Sequence, residues 1–407
     1  MNFPSIQELG FDAVHVSNGV YAAHPRNQII APMFTDHAFN MDAAQQIKNL
    51  LDIPVILTNR INDPQMAETL LRMGKADFIG MGRGSLADPF LPQKAKEGKY
   101  DQIQYCIGCL QGCEMPLFLN DCVTCLINPR VGREYEADYS PAPVSKKVMV
   151  IGGGPAGLVA ARTAALRGHK VTVYEAQEEL GGQFRSAAYP MGKGELSTLA
   201  SSLRAQLEGL NVPVFLNTTV DEALIQAEKP DAIILATGAK PLSLPIPGMD
   251  SSNVVTAEEV LLGKKDIGPG PCVVCGGGEV GGETAQFVAE RNHNVTILEM
   301  QDDILNDMMP MTRTCLVEML QQAHVAVKTG CKVTQINQDS VSYVNAQGET
   351  ETIPADSVIS AFGYQSYNPL EEIANKNCSE VYVIGGAVKA GNAITATKEG
   401  YEAGLKV

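Results

Sequence analysis

The chain has 407 residues, of which 45% are hydrophobic and 38 are glycine, enough for two or three globular domains rich in tight turns. A net charge of -15, from 31 basic and 46 acidic residues, argues against a nucleic-acid partner, because no basic face could dominate such a surface. The opening MNFPSIQELGFDAV has neither a basic n-region nor an apolar h-region, and no apolar run reaches the ~18 to 20 residues that span a bilayer; the expected setting is the cytoplasm, with no membrane partner.

From Asp12 the pattern is short apolar strand, loop, helix, repeated: DAVHVS, the helical MDAAQQIKNLL, PVILT, the helical PQMAETLLRMG, then ADFIGMG. This is βαβαβ, a parallel-sheet arrangement in an α/β fold. The second and third strands run into loops bearing Arg60 and Arg83, at the strand ends where (β/α)8 barrels keep their chemistry. The bland reading of Arg60 is a surface ion pair.

Tyr105 to Cys125, YCIGCLQGCEMPLFLNDCVTC, holds five of the ten cysteines. With no secretory signal, such density points to a metal centre rather than to disulfides. Cys106, Cys109, Cys113 and Cys125 form a C-x2-C-x3-C-x11-C run that suits a [4Fe-4S] cluster. Cys106, Cys109, Cys122 and Cys125 form two C-x2-C pairs that suit tetrahedral zinc. The two readings differ at Cys113 and Cys122, and spacing leaves both open.

After a connector, GREYEADYSPAPVSKK, comes a repeat: VMVIGGGPAG and CVVCGGGEVG begin units 124 positions apart, Gly152 to Gly276. Each runs from an apolar strand through G-x-G-x-x-G into a helix, with Gly152, Gly154 and Gly157 in the first and Gly276, Gly278 and Gly281 in the second. The first glycine makes the turn, the second lets backbone approach a diphosphate at the helix N-terminus, and the third lets helix and strand pack closely. In both, an acid ends the second strand 23 positions after the first glycine, Glu175 and Glu299, where a carboxylate accepts bonds from an adenosine ribose. Glu299 is followed by Met300, Gln301, Asp302 and Asp303, with no Arg or Lys to meet a 2′-phosphate, so NADH is expected over NADPH. Cys272, Cys275, Cys315, Cys331 and Cys378 read as core thiols.

HVS, TNRINDP, GMGR and LADP, running into the cysteine stretch and CLINPRVGRE, resemble the last three strands and following segment of the old yellow enzyme-related iron–sulfur flavoenzymes, the 2,4-dienoyl-CoA reductase, 2-enoate reductase and trimethylamine dehydrogenase branch. The resemblance implies cluster ligation by Cys106, Cys109, Cys113 and Cys125, with Cys122 a bystander, and an FMN phosphate held by Gly82 and Arg83, with Arg60 a further cofactor contact. It also puts His24 about where dienoyl-CoA reductases keep a substrate-facing histidine, offset by one residue, as a candidate acid. The tandem glycine units resemble flavoprotein reductases in which the first unit binds FAD and the second is inserted into it. Glu175, Gly182 and Gln183 of GGQF, and Thr237 and Gly238 of LATGAKP fit the FAD side. The return, VYVIGGAVKAGNAITATKEG, departs from the family's Gly-Asp with Gly385-Gly386. Loss of that carboxylate bond weakens FAD by about 1 kcal/mol, which leaves ADP, as in trimethylamine dehydrogenase, as the alternative occupant.

The expected architecture is therefore a partial (β/α)8 flavin barrel over 1–104, a [4Fe-4S] segment and linker over 105–140, an FAD-binding domain over 141–263 and 365–407, and an inserted NAD-binding domain over 264–364. A whole barrel needs eight strands and about 250 residues, against three strands before Tyr105. The chain thus reads as a fragment, with a split-gene product or a remnant that has lost its ene-reductase site as alternatives. A homo-oligomer or a separate chain could supply the missing strands. The implied activity is NADH-dependent reduction of an activated C=C bond in a small enoate or enoyl-CoA-like molecule, with electrons running NADH, FAD, [4Fe-4S], FMN. Amine dehydrogenation or demethylation at FMN, and an electron-transfer subunit without its own substrate site, are the alternatives.

Overall fold

The computed structural model of the chain describes residues 4–19, 29–135, 139–291 and 293–407. His24 and its neighbour Arg26 lie outside the described residues. The fold is mixed α/β and divides into two compact units, Met1–Asp138 with Ser201–Gln206, and Tyr139–Ala200 with Leu207–Val407. Among the described residues no helix is long and apolar enough to cross a membrane.

In the first unit three strands, Val14–Val16, Val55–Leu57 and Phe78–Ile79, pair in parallel in chain order. Helices Met41–Lys48 and Pro64–Arg72 make the crossovers. The second helix starts where the sequence says it should: Asp63 accepts from the Gln65 amide at 2.8 Å, and Pro64 fills the first position, where no amide is needed. Ala67 and Leu70, three apart on one face, pack on Val55 and Leu57 of the central strand. The third strand leads almost at once into helix Gly82–Ala87, which sets Gly82 and Arg83 just beyond its C-terminal end.

The second unit contains two five-stranded parallel sheets of matching design. In the first the spatial order is Val381–Val383, Ala232–Leu235, Lys147–Ile151, Lys170–Tyr174, Val214–Phe215. In the second it is Val254–Thr256, Ser357–Ser360, Cys272–Cys275, Val295–Leu298, Ala326–Lys328. Each central strand carries a glycine motif, and its neighbour carries the ribose-type acid. Of these central strands, Cys272–Cys275 is buried along its whole length and Lys147–Ile151 from Val148 on, as a parallel sheet covered on both faces requires. The edge strand Val254–Thr256 draws the second sheet back ten residues before position 264. Cys272 and Cys275 are buried in the central strand, packed as small apolar groups.

A buried charge cluster ties the two nucleotide folds together. Lys193 follows the GGQF loop of the first, and its Nζ donates to the Glu283 carboxylate and stands 3.5 Å from Glu279 Oε1, both on helix Glu279–Ala289 of the second. Lys193 and Glu283 are each 4% exposed, so neither charge is relieved by water. Burial pushes the Glu283 carboxyl up to about 7, with Lys193 pulling the other way. Burial also works against the Lys193 ammonium, yet Glu283 and Glu279 outweigh it and hold its pKa above the usual lysine value.

Removing one member strands the other, which costs about 3–5 kcal/mol. Lys193→Met should therefore lower the unfolding free energy of this unit by that order, and Lys193→Met with Glu283→Leu should recover most of the loss, both read by urea unfolding. Folded Glu283 holds its proton more tightly than an ordinary carboxyl of 4.5, so its contribution to stability is full below pH 4.5 and drains away as pH rises to about 7. Glu283→Gln should flatten that stretch of the stability–pH curve.

Candidate functional site

The cysteine stretch folds as two turns clamped by backbone. Thr124 donates its amide to the Gly112 carbonyl at 2.7 Å, and the two chains run so close that a Cβ on Gly112 would meet the Thr124 carbonyl oxygen at 2.6 Å. Cys113 follows one partner of this clamp and Cys125 follows the other. Cys106, Cys109, Cys113 and Cys125 consequently line one cavity, together with Arg83, Leu86 and neighbours in the two turns such as Gly108 and Thr124. Cys122 does not line it and is exposed.

Burial pushes the Cys109, Cys113 and Cys125 thiols up, Cys125 to about 12, and thiolate charge on their neighbours raises them further. Thiols around one cavity must give up their protons to ligate a cation, so loading the site releases protons. Among the described residues no three His, Cys, Asp or Glu side chains converge on a point that would hold a single ion. Four cysteines around one cavity are a donor set that fits a four-iron cluster.

Arg60 is neither a surface ion pair nor pointed at solvent. It is 8% exposed, donates from Nε to the Thr35 carbonyl at 3.0 Å and from Nη2 to the Met33 carbonyl at 3.3 Å, while its own carbonyl receives His37 Nδ1 at 2.6 Å. Its guanidinium also presses on the cysteine turn, since a Cβ on Gly108 would lie 2.5 Å from Arg60 Nη1. Asn62 reaches the same turn, donating to the Cys106 carbonyl. Gly82 has open space where a Cβ would go. Arg83 carries a buried Nη1 that has no hydrogen-bond partner among the described residues.

The two glycine turns are near copies. Gly152 and Gly276 both have φ of +111°, and a Cβ on either would strike the carbonyl of Ala236 or Ala361 at 2.2 and 2.3 Å. Gly157 and Gly281 each lie 1.9 Å, Cβ to oxygen, from the carbonyl of that first glycine, so no larger residue fits. Glu175 is held by two amides, Gly153 N at 2.7 Å and Gln177 N at 2.8 Å. Glu299 is held alike by Gly277 N at 2.5 Å and Gln301 N at 2.7 Å. Each carboxylate is thereby fixed in direction and keeps lone pairs for a ribose.

The cradles differ at the second glycine. Gly154 opens helix Pro155–Leu166 with nothing within 4 Å of its missing Cβ, a gap that a diphosphate could fill. At Gly278 the Asp307 carboxylate stands 3.2 Å from that point and accepts the Glu279 amide at 2.9 Å.

Around the first cradle, Gly182 at φ +52° packs on Gly154, and Gln183 Nε2 donates to the Ala239 carbonyl at 2.8 Å. Thr237 Oγ1 donates to the Tyr367 carbonyl at 2.6 Å, and Gly238 has φ +77°. The return pair explains its own departure from pattern: a Cβ on Gly386 would meet Gly238 C at 3.0 Å, so this close backbone packing leaves no room for an aspartate without a shift. The Gly385 amide instead donates to Glu399 at 2.6 Å, from the C-terminal helix Ala393–Lys406. Lys193, Glu399, Asp307 and Arg313 were not singled out in the sequence. Arg313 reaches back from helix Pro310–Gln322 to pair with Asp303 and donates to the Ile304 carbonyl at 3.1 Å, so a cation does stand near the Glu299 strand, already engaged.

Two family descriptions match the chain: NADH:flavin oxidoreductase / NADH oxidase over residues 1–102, and pyridine nucleotide-disulphide oxidoreductase over residues 146–400. The NADH oxidase of Thermoanaerobacter brockii is 38% identical over 408 residues, 99% of this chain and 62% of that protein. The cinnamate reductase of Clostridium sporogenes is 34% identical over 400 residues, 97% of this chain and 59% of that protein. A 2-naphthoyl-CoA reductase structure in complex with 2-naphthoyl-CoA superposes with a TM-score of 0.93 at 31% identity, covering 98% of this chain and 60% of that one. The chain thus spans about three fifths of the relatives it matches. Flavin- and NADH-binding domains are joined in one chain, which belongs to the pyridine nucleotide-disulphide oxidoreductase family and, with its NADH:flavin oxidoreductase portion, to the old yellow enzyme-related iron–sulfur flavoenzymes.

Proposed function

We propose that the chain is the NADH-oxidising and cluster-bearing part of an NADH-dependent flavin oxidoreductase that reduces an activated C=C bond of the 2-enoate or 2,4-dienoyl-CoA type. The observation that carries this is the four-thiol cavity of Cys106, Cys109, Cys113 and Cys125 in the same chain as two glycine cradles, each with its amide-held acid. When bound, FAD exchanges hydride with NADH, a [4Fe-4S] cluster carries electrons one at a time, and FMN returns them in pairs to substrate.

The roles of the chain's own residues follow from their surroundings. Gly152, Gly154, Gly157 and Glu175 hold the adenosine diphosphate half of FAD, with Gly182, Gln183, Thr237, Gly238 and Gly385 shaping the rest of the pocket. ADP alone is the alternative occupant, because Gly386 offers no carboxylate. Gly276, Gly278, Gly281 and Glu299 hold NADH, whose diphosphate has to displace the Asp307 carboxylate from the Glu279 amide. The three strands of the first unit are the closing strands of an FMN barrel, with Gly82 and Arg83 at the phosphate and Arg60 bracing the cysteine turn. The remaining strands come from a further stretch of polypeptide or a separate chain. The partner is then a small enoate or enoyl-CoA-like molecule, and the setting is the cytoplasm.

Two experiments test these assignments. Cys113→Ala should abolish the brown cluster absorbance and most of the bound iron, whereas Cys122→Ala should keep both; the reverse outcome returns the site to zinc. NADH should give the higher kcat/KM in dye reduction, and Asp303→Asn, which frees Arg313 to meet a 2′-phosphate, should narrow the NADH preference by about tenfold, an ion pair worth about 1 kcal/mol or slightly more. A wild type that favours NADPH contradicts the reading of the Glu299 site.

A further inference from the structure

We propose that Arg83 is a redox-tuning residue of the cysteine cavity, its buried guanidinium edge donating to the iron–sulfur group and stabilising the reduced form. The proposal rests on the four-iron reading of that cavity. Arg83 lies in helix Gly82–Ala87, directly after the third strand, and lines the cavity beside all four thiols. Its Nη1 is buried and has no hydrogen-bond partner among the described residues. A guanidinium does not shed its charge, and a buried charged donor left unpaired is destabilising. Such an atom needs an acceptor that comes with the cavity's occupant.

The cavity says which acceptor. Of the residues that line it, Arg83 is the one with a charged side chain, set among four cysteines, a threonine, two glycines and apolar residues. A [4Fe-4S] group on four thiolates is anionic and gains one more negative charge on reduction. A fixed cation with an N–H aimed at its sulfurs favours the reduced form, since net charge and hydrogen bonds to sulfur set such potentials. Arginine has five N–H donors in a planar fork, so one edge can serve a flavin phosphate while Nη1 serves the cluster. This is a positioning and tuning role, distinct from ligation.

The test is an anaerobic potentiometric titration of the full chain, with dithionite as reductant and electron paramagnetic resonance of the reduced cluster as readout. It uses wild type, Arg83→Lys and Arg83→Gln, with iron, acid-labile sulfide and flavin counted on each. Arg83→Gln should lower the ratio of reduced to oxidised cluster at a fixed potential about tenfold, a fall of about 59 mV for a one-electron couple. Arg83→Lys, which keeps the charge and loses the fork, should fall by less and shift the resonance line shape. A wild-type midpoint in iron-loaded Arg83→Gln overturns the proposal and leaves Arg83 to the flavin phosphate alone. Should Arg83→Gln fail to load iron, Arg83→Lys decides: a wild-type midpoint with a wild-type line shape overturns it equally. Wild type without iron and sulfide overturns the four-iron reading instead.

Discussion

The hydrogen bond from Thr124 N to Gly112 O, with the absence of a side chain at Gly112 that lets it form, is the constraint on which the candidate centre depends. It draws the second cysteine turn onto the first and so decides which thiols share a cavity. Gly108 at φ +64° performs the same service on the other side, where Arg60 and the Met33 amide crowd the turn and Met33 N donates to the Gly108 carbonyl at 2.9 Å. Arg60 braces this from behind. Buried, and bonded to the carbonyls of Met33 and Thr35, it ties the loop after the first strand to the cysteine segment. The four-thiol cavity is in this sense braced from the three-stranded sheet, through residues that follow its strands.

The nucleotide cradles show the same economy carried out twice. In each, the acid at the end of the second strand bonds an amide of the glycine turn and an amide two residues beyond itself, so one carboxylate fixes the turn, its own direction and the ribose acceptor together. The copies then diverge at the second glycine. The first leaves its helix N-terminus open, whereas the second covers it with Asp307. Lys193 and Glu283 join the two cradles through a buried ion pair that is costly to desolvate and far more costly to break.

What was legible in the sequence was local or repeated. The βαβαβ order of the first hundred residues and the two glycine turns with their matched acids could be read from period and spacing. Spacing alone left Cys113 and Cys122 tied, because the Gly112–Thr124 clamp that separates them is a through-space contact between residues twelve apart. Other side-chain contacts left no local mark either. Lys193 meets Glu283 across ninety positions, and Glu399 meets the Gly385 amide from fourteen positions further on. Arg313 pairs with Asp303 ten positions away, and the absence of a basic residue beside Glu299 gave no hint of it. Arg60 looked like a surface or cofactor arginine because a sequence does not reveal which carbonyls will surround a side chain. Gly386 looked like a lost ligand, and its contact with Gly238 gives the steric reason for a glycine there.

The central claim is that the nucleotide cradles and the four-thiol cavity serve one electron path. It is tested most directly by anaerobic addition of NADH to the purified chain, followed by flavin absorbance and by paramagnetic resonance of the iron–sulfur centre. The account predicts flavin bleaching and then the signal of a reduced [4Fe-4S] cluster, without any added mediator. Flavin bleaching with an iron–sulfur centre that NADH never reduces, although dithionite does, would contradict it.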